Sequence, residues 1–119
     1  MEWKFQDDTP LYLQIMEQMK MRIAAGEFQA NEKLPSVREL ALEAGVNPNT
    51  MQKALSELER EGYVYSQRTA GRFVAELQGR QEDLKESLAK EHMELYLANM
   101  EKIGYSRKEA AALLAAYAK

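Results

Sequence analysis

Cysteine is absent from the chain and histidine occurs once, as His92. The first absence excludes disulfides, thiolate nucleophiles and cysteine-ligated zinc or iron–sulfur centres. The second leaves metal and acid–base chemistry without the partnered imidazoles it normally uses. His92 stands beside Met93, Leu95 and Tyr96 in a helical stretch, where it reads as structural or solvent-facing. No apolar run approaches the roughly 20 residues that cross a bilayer as a helix. The opening Met1-Glu2-Trp3-Lys4 lacks the basic flank and apolar stretch of a secretory signal, so a cytoplasmic protein is expected. No nucleophile–base constellation or phosphate-cradling glycine loop appears, and the carboxylates are scattered along polar helix faces. The expectation is a non-enzyme with no catalytic residues, no metal and no cofactor.

Basic charge is also short. Lys and Arg number 16 against 19 Asp and Glu, a net charge of −3 over 119 residues. The deficit lies entirely in residues 1–76, with nine basic and twelve acidic side chains; residues 77–119 carry seven of each. Bulk charge therefore argues mildly against nucleic acid as a partner. Binding needs only a basic face, which a dimer doubles, so the placement of Lys33, Arg38, Lys53, Arg68 and Arg72 matters more than the sum. The length suits one compact domain plus a short appendage.

What is present is a succession of capped helices. Thr9-Pro10 reads as N-cap and first helical residue, followed by Leu11, Ile15, Met19 and Ile23 at fourfold spacing and closed by Gly26 as a left-handed cap. A loop from Glu27 to Lys33 contains Asn31, suited to positive φ. Ser36-Val37-Arg38-Glu39 forms a capping box that opens a short helix with Val37, Leu40 and Ala41 inward. Gly45 stops it, and Val46 plugs the turn. Asn47-Pro48 repeats the start signal for a helix ending near Glu61-Gly62. Its core stripe is Met51, Ala54, Leu55 and Leu58, which leaves Asn49, Thr50, Gln52 and Lys53 outside. Tyr63–Tyr65 and Arg72–Ala75 read as two strands joined by a polar turn, Ser66 to Gly71. Two capped helices around a Gly-Val turn, followed at once by a hairpin, spell a winged helix-turn-helix over residues 1–76.

From Leu77 the composition shifts to a long helix with Leu77, Leu84, Leu88 and Leu95 on one edge. Met93, Tyr96, Leu97, Met100 and Ile103 widen its apolar surface. Gly104 closes it, and the capping box Ser106-Arg107-Lys108-Glu109 starts a last helix bearing Ala110, Leu113, Leu114 and Tyr117. So broad an apolar arc must meet several neighbours. A dimer interface is the economical solution, with Leu84, Leu88, Met93, Leu95, Tyr96, Leu97, Met100, Leu113, Leu114 and Tyr117 as its candidates; an intramolecular lid is the alternative.

The segment LPSVRELALEAGVNPNTMQKALSELEREGYV, followed by GRFV and preceded by PLYLQIMEQM, resembles the N-terminal DNA-binding domain of the GntR family of bacterial transcription regulators. The likeness spans residues 9–75, and the short tail with GYSRKEAAALL is similar to the YtrA-like subfamily. The resemblance implies a mainly α fold with a small β-hairpin: an N-terminal winged helix-turn-helix, then two C-terminal helices, residues 77–119, that dimerise. It also implies that Arg38 reaches base edges, where a planar guanidinium suits the O6/N7 edge of guanine. Ser36, Asn49, Thr50 and Lys53 fall where family members hold phosphates or approach bases, and Asn47 and Pro48 where some members place base-reading residues. Capping alone is the competing role for Ser36 and Asn47. Where members usually have Gly-x-Gly-Thr, this wing has Thr69-Ala70-Gly71-Arg72. Gly71 then keeps one site of close backbone approach, and Arg68 and Arg72 are the candidates for a narrow minor groove. Lys33 completes the set.

The expected protein is thus a homodimeric, sequence-specific repressor on a palindromic operator in double-stranded DNA, with a transporter operon as the target the subfamily implies. The alternative is a winged-helix module that binds protein and uses DNA little. Any small-molecule effector would have to sit between the DNA-binding domain and the tail or at the dimer seam, because no separate ligand domain is present.

Overall fold

A computed structural model describes residues 2–119. The element order is α1 (Leu11–Ala24), α2 (Val37–Ala44), α3 (Pro48–Arg60), β1 (Val64–Gln67), β2 (Gly71–Val74), α4 (Arg80–Lys102) and α5 (Arg107–Tyr117). This is the mainly α winged-helix architecture that the sequence implied. The residues fall into two compact units, one ending at Leu84 and one comprising Lys85–Lys119, so that α4 contributes to both.

In the first unit α3 packs on α1 and α2. Ile15, Met19, Leu40, Met51, Leu55, Leu58, Val64 and Val74 are all less than about 2% exposed and form the centre of the core. The stripe expected on α3 is the stripe that is buried, because Met51, Ala54, Leu55 and Leu58 share one face at helical spacing. Lys20 of α1 reaches Glu61 at 2.8 Å and ties the C-terminal end of α3 to α1.

Helix ends follow local chemistry. Ser36 Oγ accepts from the Glu39 amide and the Glu39 carboxylate accepts from the Ser36 amide, both at 3.1 Å. Asn47 Oδ1 accepts from the Asn49 amide at 2.7 Å. At the end of α1 the Gly26 amide bonds the Ile23 carbonyl and the Glu27 amide that of Arg22. With Gly26 at φ +81°, this is a Schellman closure.

The start of α1 differs from expectation. Pro10, not Thr9, occupies the cap position, and no side chain caps the helix. Thr9 lies one residue too early to reach the first free amides. Its hydroxyl instead donates to Asp8 at 3.4 Å. Gln14 and Gln18 hold the preceding arm. The Gln14 amide takes both the N–H and the carbonyl of Gln6, each at 2.8 Å, and Gln18 does the same for Lys4 at 3.3 and 2.6 Å. Trp3 lies under the Arg22 guanidinium, 4.2 Å from ring centre to cation.

β1 and β2 pair antiparallel in the register Val64↔Val74, Tyr65↔Phe73, Ser66↔Arg72, Gln67↔Gly71. Tyr63 and Ala75 fall outside the strands, which instead take in Ser66, Gln67 and Gly71 and leave only Arg68, Thr69 and Ala70 in the turn. A third segment, read from sequence as plain loop, lines the hairpin. Asn31 N–H donates to the Val74 carbonyl at 2.7 Å, Val74 N–H to Glu32 at 2.9 Å, and Leu34 N–H to Arg72 at 2.9 Å. Asn31 takes φ +66°, as its residue type allows, and its side chain accepts from the Tyr65 hydroxyl at 2.9 Å.

Leu77 precedes α4 rather than forming part of it, because Gln78 and Gly79 both adopt positive φ before the helix begins at Arg80. In the second unit Gly104 (φ +102°) separates α4 from α5, and the Ser106–Glu109 capping box starts α5. Tyr96 donates to the Ala110 carbonyl at 2.8 Å, and Arg107 forks onto both Glu94 oxygens at 3.2 Å.

The carboxyls of Glu39, Glu94 and Glu109 all lie below the usual glutamate range. Hydrogen bonds from the Ser36 and Ser106 backbone amides lead for the two capping residues, and the bond from Arg107 leads for Glu94. A lowered native pKa means that the unfolded chain binds the proton more readily. The stabilisation is present above the unfolded value of about 4.3 and is lost as pH falls through the native values. Urea denaturation between pH 7 and pH 3 should show stability falling with acid, with a shallower fall in Glu39→Gln/Glu109→Gln, whose amides still cap but do not titrate.

Candidate nucleic-acid interface

The turn between α2 and α3 is built by Gly45 at φ +72° and a half-buried Val46, whose amide bonds the Ala41 carbonyl at 3.0 Å. With Leu40, Ala41 and the α3 stripe buried, Arg38, Asn49 and Gln52 at the two helix starts are left on the solvent side. Arg38 is exposed, and no hydrogen bond or ion pair engages its guanidinium among the described residues. It borders an open groove of about 470 Å³ with Leu42, Val46 and Pro48. Asn49 and Gln52 are exposed and Thr50 is half-buried at the start of α3.

Ser36 and Asn47 are exposed, with their side-chain oxygens engaged as caps. Capping is thus their observed role in the free protein. Lys53 is exposed, but its ammonium sits 4.1 Å over the Tyr12 ring of α1. Such a contact is worth about 0.5–1 kcal/mol at an exposed site, so it steers the side chain without locking it.

A second groove, of about 430 Å³, runs between the start of α2 and the wing and is lined by Lys33, Ser36, Glu39, Ala70, Gly71 and Arg72. It brings Lys33 and Gly71 together: a Cβ built on Gly71 would lie 3.4 Å from Lys33 Cε, and Gly71 holds φ +107°. Arg68 is exposed in the wing turn. Arg72, the other arginine read as a candidate for the minor groove, is held against the protein in the free chain. Its side chain is 18% exposed and its Nε lies 3.4 Å from Glu59 of α3. The pairing register explains this, because Arg72 sits directly opposite Ser66, whose hydroxyl donates to the same Glu59 oxygen at 2.7 Å. Sequence reasoning missed Glu59; it reads as an ordinary exposed helix carboxylate until the hairpin is folded against it.

The tail divides. Leu84 and Leu88 are 7% exposed and so buried within the single chain. Tyr96, Leu97 and Met100 are half-buried. Met93, Leu95, Leu113, Leu114 and Tyr117 stay exposed, at 44% to 87%, and Ile103 joins them at 70%. His92 is exposed. No helix among the described residues is long and apolar enough to cross a membrane.

A sequence model described as "Bacterial regulatory proteins, gntR family" matches residues 11–74, the helices and wing just described. The chain belongs to the GntR family. It is 40% identical over 109 residues to the HTH-type transcriptional regulator YhcF of Bacillus subtilis, covering 92% of this chain and 90% of that one. It is 39% identical over 99 residues to the HTH-type transcriptional repressor YtrA of the same organism, covering 78% and 76%. The likeness to YtrA runs beyond the winged helix into the tail and places this GntR chain with the YtrA-like subfamily. Among solved structures, a GntR family regulator from Listeria monocytogenes superposes with a TM-score of 0.80 at 36% identity, over 92% of this chain and 96% of that one. The DNA-binding domain of AraR in complex with operator ORX1 matches at TM-score 0.58 and 32% identity, over 63% and 96%. Membership in a family of transcriptional regulators supports a non-enzymatic role.

Because the Asn47 side chain holds a helix amide, Asn47→Ala should cost about 1 kcal/mol of folding stability. Chemical denaturation of the DNA-free protein checks this; an unchanged midpoint would free Asn47 from the capping role.

Proposed function

We propose that this GntR-family chain is a cytoplasmic homodimeric repressor that binds a two-fold-symmetric operator, with a transporter operon as its target. One observation carries the reading. An exposed Arg38, without a hydrogen-bond or ion-pair partner among the described residues, lies beside the polar starts of α2 and α3, with the groove holding Lys33 and the wing to one side. In this reading Arg38 pairs with a guanine edge. Lys33, Ser36, Asn49, Thr50 and Lys53 meet phosphates or base edges, Asn47 approaches bases from its cap, and Arg68 and Gly71 approach the minor groove. The repressor sense is supported by the name of the YtrA relative. Dimerisation is supported by the number of large apolar side chains left exposed on residues 93–117, surface that a second copy would cover.

The acidic balance of residues 1–76 favours a second reading, a winged-helix module that binds protein. Electrophoretic mobility shift on the DNA upstream of the chain's own gene separates the two. A sequence-selective shift supports the first, and no shift at low salt supports the second.

Within the first reading, Arg38→Ala should lower the ratio of specific to non-specific affinity by about 1–3 kcal/mol per half-site. Unchanged discrimination would remove Arg38 from base reading. The pair Leu113→Glu/Leu114→Glu should sediment as a folded monomer and lose about a hundredfold or more in DNA affinity, because the second half-site is no longer linked to the first. A variant that still sediments as a dimer would place the interface elsewhere.

A further inference from the structure

A two-stranded hairpin is marginally stable alone, so its direction is set by what it is attached to. The base of this wing is held by buried Val64 and Val74 and by the pairing of residues 31–34 with β2. Higher up, a single carboxylate touches both strands. Glu59 accepts from Ser66 Oγ of β1 at 2.7 Å and lies 3.4 Å from Arg72 Nε of β2. Ser66 and Arg72 are cross-strand partners, so their side chains leave the hairpin on one face, toward α3. Beyond them the wing holds only the Gln67–Gly71 pair and the turn. A hydrogen bond to a charged group is stronger than a neutral one, and here two converge on a partly shielded oxygen.

We propose that Glu59 is a positioning residue that aims the wing. By holding Ser66 and Arg72 it fixes the angle between α3 and the hairpin, and Arg72 serves the DNA interface from within the protein without touching phosphate. The proposal rests on the DNA-binding reading above. A competing geometry makes the opposite prediction: if Arg72 leaves Glu59 to grip the backbone, the carboxylate competes with DNA.

The test uses the full chain with Glu59→Ala, Glu59→Gln, Arg72→Ala and the Glu59→Ala/Arg72→Ala pair. Affinity is measured across salt concentrations on a duplex carrying the chain's own upstream region and on a random duplex of equal length. Amide exchange in β1 and β2 is measured without DNA. Aiming predicts that Glu59→Ala and Arg72→Ala each weaken binding about tenfold, the equivalent of one charge-assisted hydrogen bond. The pair should be no weaker than either alone. Glu59→Gln, which still accepts from Ser66, should lose less. The salt slope should be unchanged in Arg72→Ala, and hairpin exchange should quicken in Glu59→Ala. Tighter binding by Glu59→Ala or Glu59→Gln, or a slope reduced by about one phosphate contact in Arg72→Ala, would overturn the proposal; so would unchanged hairpin exchange. If the unaltered chain bound neither duplex, the DNA reading would fall and the aiming role with it, while exchange would still report whether the latch exists.

Discussion

Met51, Ala54, Leu55 and Leu58 of α3 are all at most 1% exposed, and the arrangement of the first unit depends on that one stripe. An α-helix that commits a stripe to α1 and α2 has no rotational freedom left. Asn49, Gln52 and Lys53 therefore face outward as a consequence of packing. The same constraint orients α2: with Leu40 and Ala41 inward, Arg38 can only project to solvent. Burying one full-sized aliphatic side chain contributes about 1.5–3 kcal/mol, so the core outweighs the small local terms at the surface. The surface is then left free to vary in chemistry without moving the helices.

Charge on this surface is distributed rather than abundant. Three cations that could face a polyanion differ in how they are held: Arg38 has no partner among the described residues, Lys53 rests on Tyr12, and Arg72 is bound to Glu59. The short side chains at the helix starts are similarly committed, since Ser36 and Asn47 already serve as caps. That division reconciles a net charge of −3 with membership in a DNA-binding family. Acidic residues such as Glu39, Glu59 and Glu61 are engaged in capping and bridging contacts inside the domain.

Features encoded within four residues were legible in the sequence. The capping boxes at Ser36 and Ser106, the Asn47-Pro48 start and the glycines at 26, 45, 62 and 104 all act between near neighbours, and each stands where its residue type placed it. The α3 stripe was legible because period and burial agree. Apart from the cap misassigned to Thr9, what was missed depends on partners distant in sequence. Glu59 meets Arg72 across thirteen positions, and Gln18 holds Lys4 across fourteen. The segment at residues 31–34 becomes strand-like only once β2 lies beside it. The burial of Leu84 and Leu88 within the single chain was not legible either, because periodicity shows that a face is apolar without showing what covers it.

The central claim is that two copies of this polar surface read symmetric DNA, each with its own Arg38. Selection of bound sequences from a random duplex library by the full chain tests it most directly. The account predicts enrichment of an inverted repeat whose half-sites are spaced by about one helical turn or more, each containing a fixed guanine. A library that enriches no sequence, or only an unpaired single half-site, would contradict it.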